Sequence, residues 1–161
     1  MSNAVVIENR LPGHPPTEWD INGAGDPSIQ GFGHDISINR GETIYFKIKT
    51  DSEDYRIDIY RLGYYAGNGA RRVDTVTPCV ELPQHQPEGL RESDTHLYDC
   101  GNWAVSASWR APAEATSGIY IARLVRQDTS DTGWRADNSR TEPMRKPEPS
   151  AHAYGIGGRG R

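Results

Sequence analysis

The sequence contains few of the residues that usually build a hydrophobic core. Ile, Leu, Val and Phe make up 27 of the 161 residues, about 17%, below the roughly 20% at which disorder becomes a serious alternative. Against disorder, the formal net charge is only −4, and the chain carries 4 Trp and 8 Tyr, large apolar side chains that disordered chains usually lack. The composition therefore predicts a small folded domain with unfolded ends.

Other absences exclude whole classes of protein. No stretch approaches the roughly 18 apolar residues that a membrane-spanning helix needs. Residues 1–10 lack the basic region and apolar run of a signal peptide, so the sequence as written predicts a cytoplasmic chain that does not bind membranes. The pI is about 5.7 and the charges are scattered along the chain. A nucleic-acid-binding protein needs a basic patch, so the sequence argues against nucleic-acid binding.

The apolar residues are distributed unevenly along the chain. Residues 1–130 hold 26 of the 27 Ile, Leu, Val and Phe, whereas residues 131–161 hold only Ile156. Burial of one such side chain cannot offset the entropy lost when a segment of this length is ordered. We therefore predict an N-terminal arm at residues 1–15, a folded domain at 16–130 and a disordered tail at 131–161.

Within the folded part, apolar and polar residues alternate with a period of two, which is typical of half-buried strands. Strands are predicted at residues 43–49, 55–60 and 118–125, with weaker candidates at 35–39, 72–77 and 105–109. Gly- and Pro-rich turns separate these runs, and no helical pattern of about ten residues occurs. The chain is therefore predicted to be all-β, an antiparallel β-sandwich of the immunoglobulin or fibronectin type, with a barrel as the alternative.

A sandwich of this type would normally continue after residues 119–125 with one more apolar strand. The sequence from Trp134 onward contains no such run. We therefore expect an open sheet edge along residues 119–125, through which copies of the chain would associate weakly.

The clearest motif is the run at residues 55–71, which reads YRIDIYRLGYYAGNGAR. It is similar to the signature YR(I/V)(D/E)IYRLG(Y/W)YGGxGAR of the large, β subunit of N,N-dimethylformamidase and its uncharacterised bacterial relatives. Shorter matching stretches lie at residues 28–32, 99–103, 106–109 and 117–124. The resemblance covers roughly residues 10–128 and implies the immunoglobulin-like β-sandwich module at the front of those proteins.

The resemblance also implies where the chemistry of the family is located. The iron-dependent amide hydrolysis belongs to a downstream, glutamine-amidotransferase-like portion, which does not fit in residues 131–161. Relatives continue with an FVVR-type strand where residues 132–138 here read TGWRADN, so we expect a truncated or frameshifted reading frame. The implied partner is a catalytic domain or subunit of a related protein, and the chain alone is expected to be neither an enzyme nor a cofactor-binding protein.

The segment between two predicted strands offers candidate contact residues. Tyr64 and Tyr65 lie between Arg61 and Arg71, and guanidinium groups can bind carboxylates or amide carbonyls. These four side chains are candidates for docking or ligand contact. The alternative is a tight connection whose glycines serve backbone geometry and whose Tyr rings cover the edge of the sandwich.

Aromatic residues elsewhere suggest a different function. If Trp103 and Trp109 were exposed, their rings would stack on sugars, as in a carbohydrate- or cell-surface-binding module. The alternative is that these Trp side chains form part of the core. Tyr120, two residues after Gly118 at a strand start, resembles a tyrosine corner, in which the hydroxyl bonds to the backbone a few residues upstream.

Catalytic and metal-binding patterns are not apparent. The five histidines lack the spacing of HxH or HExxH motifs, and no GxSxG motif is present, so we predict no metal site and no catalytic residues. A small stand-alone hydrolase remains a third hypothesis, which would require converging titratable groups. The histidines are His14, His34, His85, His96 and His152.

Cys79 and Cys100, 21 residues apart, either form a disulfide or remain free thiols.

Overall fold

A computed structural model describes residues 3–21, 26–128 and 151–158. Two short helices come first, α1 (Ala4–Glu8) and α2 (Pro16–Trp19). Asn3 caps α1, because its side chain accepts a hydrogen bond from Val5 N. None of the helices in these ranges is long and apolar enough to cross a membrane.

The rest of the described chain is built from short strands. In chain order they are β1 (Ile29–Gly33), β2 (Ser37–Ile38), β3 (Thr43–Thr50), β4 (Tyr55–Leu62), β5 (Ala70–Val76), β6 (Leu90–Arg91), β7 (Tyr98–Asp99), β8 (Ala107–Arg110), β9 (Ile119–Arg126) and β10 (Ala151–Gly158). A single 3₁₀ turn, Tyr65–Gly67, lies between β4 and β5.

These strands form two facing sheets and one small hairpin. The first sheet has the order β1-β3-β8, the second has the order β2-β10-β9-β4-β5, and β6 pairs with β7. All pairs are antiparallel except β2 with β10. The antiparallel β-sandwich predicted from the sequence is therefore confirmed for the described residues.

The core lies between the two larger sheets and is one continuous cluster. β1 and β3 contribute Ile29, Ile44, Phe46 and Ile48, and β4 and β9 contribute Tyr55, Ile57, Ile59, Tyr120, Ala122 and Leu124. The strongly alternating runs became β3, β4 and β9, as predicted. The weaker candidates became the shorter strands β2 and β8 and the edge strand β5.

Strand β1 was not predicted, because two of its five residues are glycines. Both glycines allow close packing. A Cβ atom at Gly31 would lie 2.8 Å from Ile48 Cγ1, and one at Gly33 would lie 2.9 Å from Ile44 Cδ1. β1 therefore packs its backbone directly against β3. Because glycines serve this close packing, the sequence of β1 shows no alternation of apolar and polar residues.

The prediction of an open edge along residues 119–125 is wrong. β10 pairs with β9 along this edge, from Ala151 opposite Val125 to Gly157 opposite Ile119. Strand pairing uses backbone N–H and C=O groups, so a segment of mostly small residues can complete a ladder. Residues 131–150 and 159–161 of the predicted tail lie outside the described residues, and the boundary near residue 130 stays a prediction.

Candidate functional site

The signature run forms the β4–β5 hairpin and its turn. Tyr65 and Ala66 have φ angles of 40° and 56°, and Gly67 and Gly69 have φ angles of 90° and 82°. Positive φ is favourable only for glycine. At Gly69 a Cβ atom would also lie 2.6 Å from Trp19 Cζ2. The ring of Trp19, the last residue of α2, therefore packs directly against the backbone of the turn.

Two of the predicted docking residues, Arg61 and Tyr65, are internal. Tyr65 is fully buried and Arg61 is 3% exposed. The Arg61 Nη1 group donates a hydrogen bond to the Tyr65 hydroxyl at 2.9 Å, and Nη2 donates one to the Ser117 carbonyl at 2.8 Å. Burial raises the pKa of the Tyr65 hydroxyl. Arg61 thus joins the hairpin to the segment before β9 and also holds the Tyr65 hydroxyl. Neither side chain is exposed for contact with a partner.

Arg71 is also engaged within the domain. Its Nε and Nη2 groups donate hydrogen bonds to Glu8 Oε1 at 2.8 and 2.6 Å, and the Tyr65 hydroxyl donates to the same oxygen at 2.9 Å. Burial opposes the positive charge of Arg71, but the hydrogen bonds and charge of Glu8 outweigh burial and raise its pKa. Arg71 therefore holds α1 against the hairpin.

Tyr64 alone of the four hairpin candidates is open to solvent, with 71% of its surface exposed. Its backbone N–H donates to Asn9 Oδ1 at 2.8 Å, which places the Tyr64 backbone beside the end of α1. Helix α1 itself buries none of its residues. We define the α1 surface as Tyr64 with the exposed apolar side chains of the N-terminal segment, Val5, Val6, Ile7 and Leu11.

Sequence reasoning missed the α1 surface, since residues 1–15 were assigned to an arm without a role. A signal was present: Asn3 precedes the run Ala-Val-Val-Ile-Glu, the pattern of an N-cap followed by a short helix. The exposure of this apolar run depends on how Glu8 is anchored, which the sequence does not reveal.

Trp103 and Trp109 are both buried, with 6% and 4% of their surfaces exposed, and Trp109 belongs to the core cluster between the two sheets. Trp109 Nε1 donates to Asp74 Oδ2 at 2.8 Å, and its ring centroid lies 5.8 Å from that of Tyr120. Trp103 Nε1 donates to the Pro87 carbonyl at 2.9 Å. Neither ring is an exposed platform for a sugar, so the packing interpretation is the one that the geometry supports.

The predicted tyrosine corner is confirmed. The Tyr120 hydroxyl donates a 2.6 Å hydrogen bond to the Thr116 carbonyl, four residues upstream. Because Arg61 Nε also donates to this carbonyl, at 3.3 Å, the corner shares its acceptor with the signature run. The start of β9 is therefore fixed from two directions.

Cys79 and Cys100 are free thiols. Cys79 is exposed, and its Sγ lies 3.4 Å from the Ser106 carbonyl. Burial, and secondarily the charge of Asp99, raise the pKa of the Cys100 thiol. A raised pKa disfavours the nucleophilic thiolate, so the arrangement does not activate Cys100.

Among the residues whose burial the structure describes, the most deeply buried charge lies on the outer face of the five-stranded sheet. Asp58 is fully buried, accepts hydrogen bonds from Arg56 Nε at 3.1 Å and Thr75 Oγ1 at 2.9 Å, and lies 3.8 Å from Arg72 Nη1. Arg123 stands opposite Asp58 in the β4–β9 register. The Asp58 carboxylate is paired with cations of its own sheet, so we assign it a role in stabilising the sheet. Within the ranges that the structure describes, no group of three His, Cys, Asp or Glu residues is placed to hold a metal ion.

Comparison with known families decides what kind of domain this is. A family model described as N,N-dimethylformamidase beta subunit-like, C-terminal, matches residues 56–141, slightly more than half of the chain. The chain belongs to this family. The match begins in β4 and includes the hairpin and all of β9, so the resemblance seen in the signature run is confirmed at the level of the family. No curated protein matched the chain.

The dimethylformamidase-like family model does not test every part of the sequence interpretation. Its description refers to a C-terminal region, so the position of this module at the front of its relatives stays a prediction, as does a truncated reading frame. The predicted catalytic partner likewise stays a prediction.

Proposed function

We propose that the chain is a non-catalytic β-sandwich module of an N,N-dimethylformamidase beta subunit-like protein, and that it docks on the catalytic portion of such a protein. The observation that carries the proposal is the internal use of the signature run. Arg61, Tyr65 and Arg71 make their hydrogen bonds to Ser117, to Glu8 and to one another. Because these side chains are hydrogen-bonded within the domain, we infer that they hold α1 in position and take no part in catalysis.

The docking surface in this proposal is the α1 surface. A helix of five residues is too short to be stable alone, so α1 depends on the anchors at Glu8 and Asn9. These anchors leave Val5, Val6 and Ile7 between 39% and 51% exposed. Contiguous exposed apolar side chains are a mark of interaction sites, and the adjacent Tyr64 ring adds a large contact area at a small entropic cost.

The non-catalytic part of the proposal is tested by an activity assay. Purified protein is incubated with N,N-dimethylformamide and other small amides, with and without ferrous or ferric iron, and release of the amine is measured. We expect no turnover above a heat-inactivated control. Clear turnover would favour the stand-alone hydrolase and overturn the proposal.

The docking part is tested by binding to the isolated catalytic portion of a family member, using calorimetry. Replacing Ile7 with Ser and Tyr64 with Ala should weaken binding at least tenfold, since both changes remove apolar area from the α1 surface. Ile36→Ser is the matched control, because Ile36 is 88% exposed and lies outside that surface. Equal loss in the control, or no binding by the unmodified chain, would overturn the docking role.

A further inference from the structure

A groove of about 400 Å³ lies on the outer face of the three-stranded sheet and shares no residue with the α1 surface. It is lined by Gln30, Gly31, Phe32, Tyr98, Asp99, Cys100 and Trp103. In β1, Ile29 and Gly31 point to the core, so the alternation of the strand directs Gln30 and Phe32 outward. The volume is in the range of small-molecule sites, roughly 300–1,000 Å³.

The wall opposite the sheet is fixed by hydrogen bonds and does not depend on a ligand. Lys47 Nζ donates to the Gly101 carbonyl at 2.7 Å, and Asn102 Nδ2 donates to the Glu88 carbonyl at 2.8 Å. Gln86 bonds to both the N–H and the C=O of Ala104 at 2.9 Å. A preformed site of this kind loses little entropy when a ligand binds.

Aromatic rings form the apolar part of the groove. The Phe32 and Trp103 rings lie 6.1 Å apart between centroids. Tyr98 is 63% exposed, and the hydroxyl end of its ring packs against Gly89, where a Cβ atom would lie 2.5 Å from Cζ and the hydroxyl oxygen. Because Gly89 has no side chain, the Tyr98 ring can approach the backbone closely while much of its surface remains exposed.

The charges around the groove are balanced. Lys47 and Lys49 stand opposite Phe32 and Gln30 in the β1–β3 register, while Asp99 lines the groove and Glu88 lies 3.5 Å from Lys49 Nζ. Two cations facing two anions favour neither an anionic nor a cationic ligand. The groove therefore suits a neutral molecule.

The polar groups of the lining define what that neutral molecule must offer. Asp99 Oδ1 accepts a hydrogen bond from Gly101 N at 2.8 Å, and its second oxygen makes none with the described residues. A carboxylate only accepts hydrogen bonds, whereas the Gln30 amide both donates and accepts. The ligand must therefore combine hydroxyl donors with an apolar face that covers aromatic rings.

We propose that this groove binds a neutral saccharide, with hydroxyl groups on Asp99 and Gln30 and the C–H face of a sugar ring against Tyr98 and Phe32. The site differs from the one expected from sequence, since Trp109 takes no part and Trp103 contributes only a wall. The proposal is independent of docking through the α1 surface.

The test is titration of ¹⁵N-labelled protein with cellobiose, maltose, xylobiose and chitobiose, followed by glycan-array screening. We expect at least one neutral sugar to shift the amide signals of Gly31, Phe32 and Gly101. Tetramethylammonium and benzoate are the charged probes. Shifts in the groove with a charged probe alone, or no sugar bound in either assay, would overturn the proposal.

Variants separate the groove from the rest of the sheet. Tyr98→Ala and Asp99→Asn should each weaken sugar binding at least fivefold, and Gly89→Ala should weaken it by displacing the Tyr98 ring while every lining residue keeps its own side chain. Tyr45→Ala is the matched control, because Tyr45 is an exposed tyrosine of the same sheet outside the groove lining. Unchanged affinity in Tyr98→Ala and Asp99→Asn, with their amide spectra otherwise native, would place the sugar elsewhere and overturn the proposal.

Discussion

Glu8 anchors α1 to the β4–β5 hairpin because its Oε1 atom accepts two hydrogen bonds from Arg71, at 2.6 Å from Nη2 and 2.8 Å from Nε. The Glu8 and Arg71 side chains are 11% and 25% exposed, so solvent screens this pair less than a surface ion pair. The N-terminal segment is thus part of the folded domain and not a free arm.

The first prediction concerns this anchor. Glu8→Ala should lower the free energy of unfolding by about 2 kcal/mol, since it leaves a partly buried guanidinium and the Tyr65 hydroxyl without their acceptor. Urea denaturation measures the effect. Glu114→Ala removes an exposed carboxylate and should change stability by less than about 0.5 kcal/mol; equal effects of the two changes would show that Glu8 is not an anchor.

The second prediction separates two buried tyrosine hydroxyls. Tyr120 donates to the Thr116 carbonyl, whereas the Tyr55 hydroxyl makes no well-formed hydrogen bond with the described residues. Burial raises the pKa of Tyr55 to about 12, against a smaller opposing effect of the Ser106 side chain. Tyr120→Phe should therefore cost about 1 kcal/mol of stability, and Tyr55→Phe should be neutral or stabilising. Chemical denaturation of both variants tests this, and a larger loss in Tyr55→Phe would contradict it.

The third prediction concerns two glycines in the hairpin turn. Gly67 and Gly69 both have positive φ, but a Cβ atom at Gly67 would meet nothing within 4 Å, whereas one at Gly69 would meet the Trp19 ring. Gly67→Ala should cost about 1 kcal/mol from backbone strain alone. Gly69→Ala should cost about 1–3 kcal/mol more, because it also displaces Trp19.

Thermal unfolding compares the stability of Gly67→Ala and Gly69→Ala, and Trp fluorescence reports the environment of the Trp19 ring in each variant. The summed Trp emission should shift to longer wavelength in Gly69→Ala, because Trp19 becomes more exposed, and should not shift in Gly67→Ala. Equal melting temperatures and unchanged emission in both variants would mean that the ring does not depend on a bare backbone at residue 69.

The fourth prediction is a pH dependence. Burial opposes ionisation of Asp128, but hydrogen bonds from Arg126, Ser52 and the Glu53 N–H outweigh it and lower its pKa to about 2. The folded-state pKa lies below the unfolded-state value, so the stabilisation is complete at neutral pH and is lost as the pH falls from about 4 to 2. Its size at pH 7 is about 1–2 kcal/mol after allowance for screening.

Asp128→Asn tests this pH dependence. The difference in unfolding free energy between the original chain and the variant should be largest at pH 7 and should shrink below about pH 4. Asp94 is exposed, and Asp94→Asn should give no such trend. A difference for Asp128→Asn that stays constant from pH 7 to 2.5 would contradict the assignment.

The sequence predicts the central strands well and the edges poorly, for physical reasons. β4 and β9 send alternate residues into the core, Tyr55, Ile57 and Ile59 from β4 and Tyr120, Ala122 and Leu124 from β9, so a period of two is visible in their sequences. β1 uses two glycines for close packing, and β10 pairs through backbone groups with a single Ile among eight residues. Neither requirement produces a hydrophobic pattern.

The candidate site shows a similar division. Tyr64 and Tyr65 are neighbours of identical type, yet Tyr65 has a positive φ and is fully buried, whereas Tyr64 is 71% exposed. Trp109 is oriented by Asp74, 35 residues away. Sequence patterns report local periodicity, so contacts at this separation could not be predicted from them.

The position of the signature run in a hairpin has a kinetic consequence. β4 pairs with β5 across the short turn at residues 63–69. Its other edge pairs with β9, which is distant in sequence, and places Asp58 opposite Arg123. Local hairpins close in about 1–10 μs, and distant pairings are much slower. We expect the signature run to form the earliest native structure, so that Gly69→Ala slows folding while Tyr120→Phe mainly accelerates unfolding.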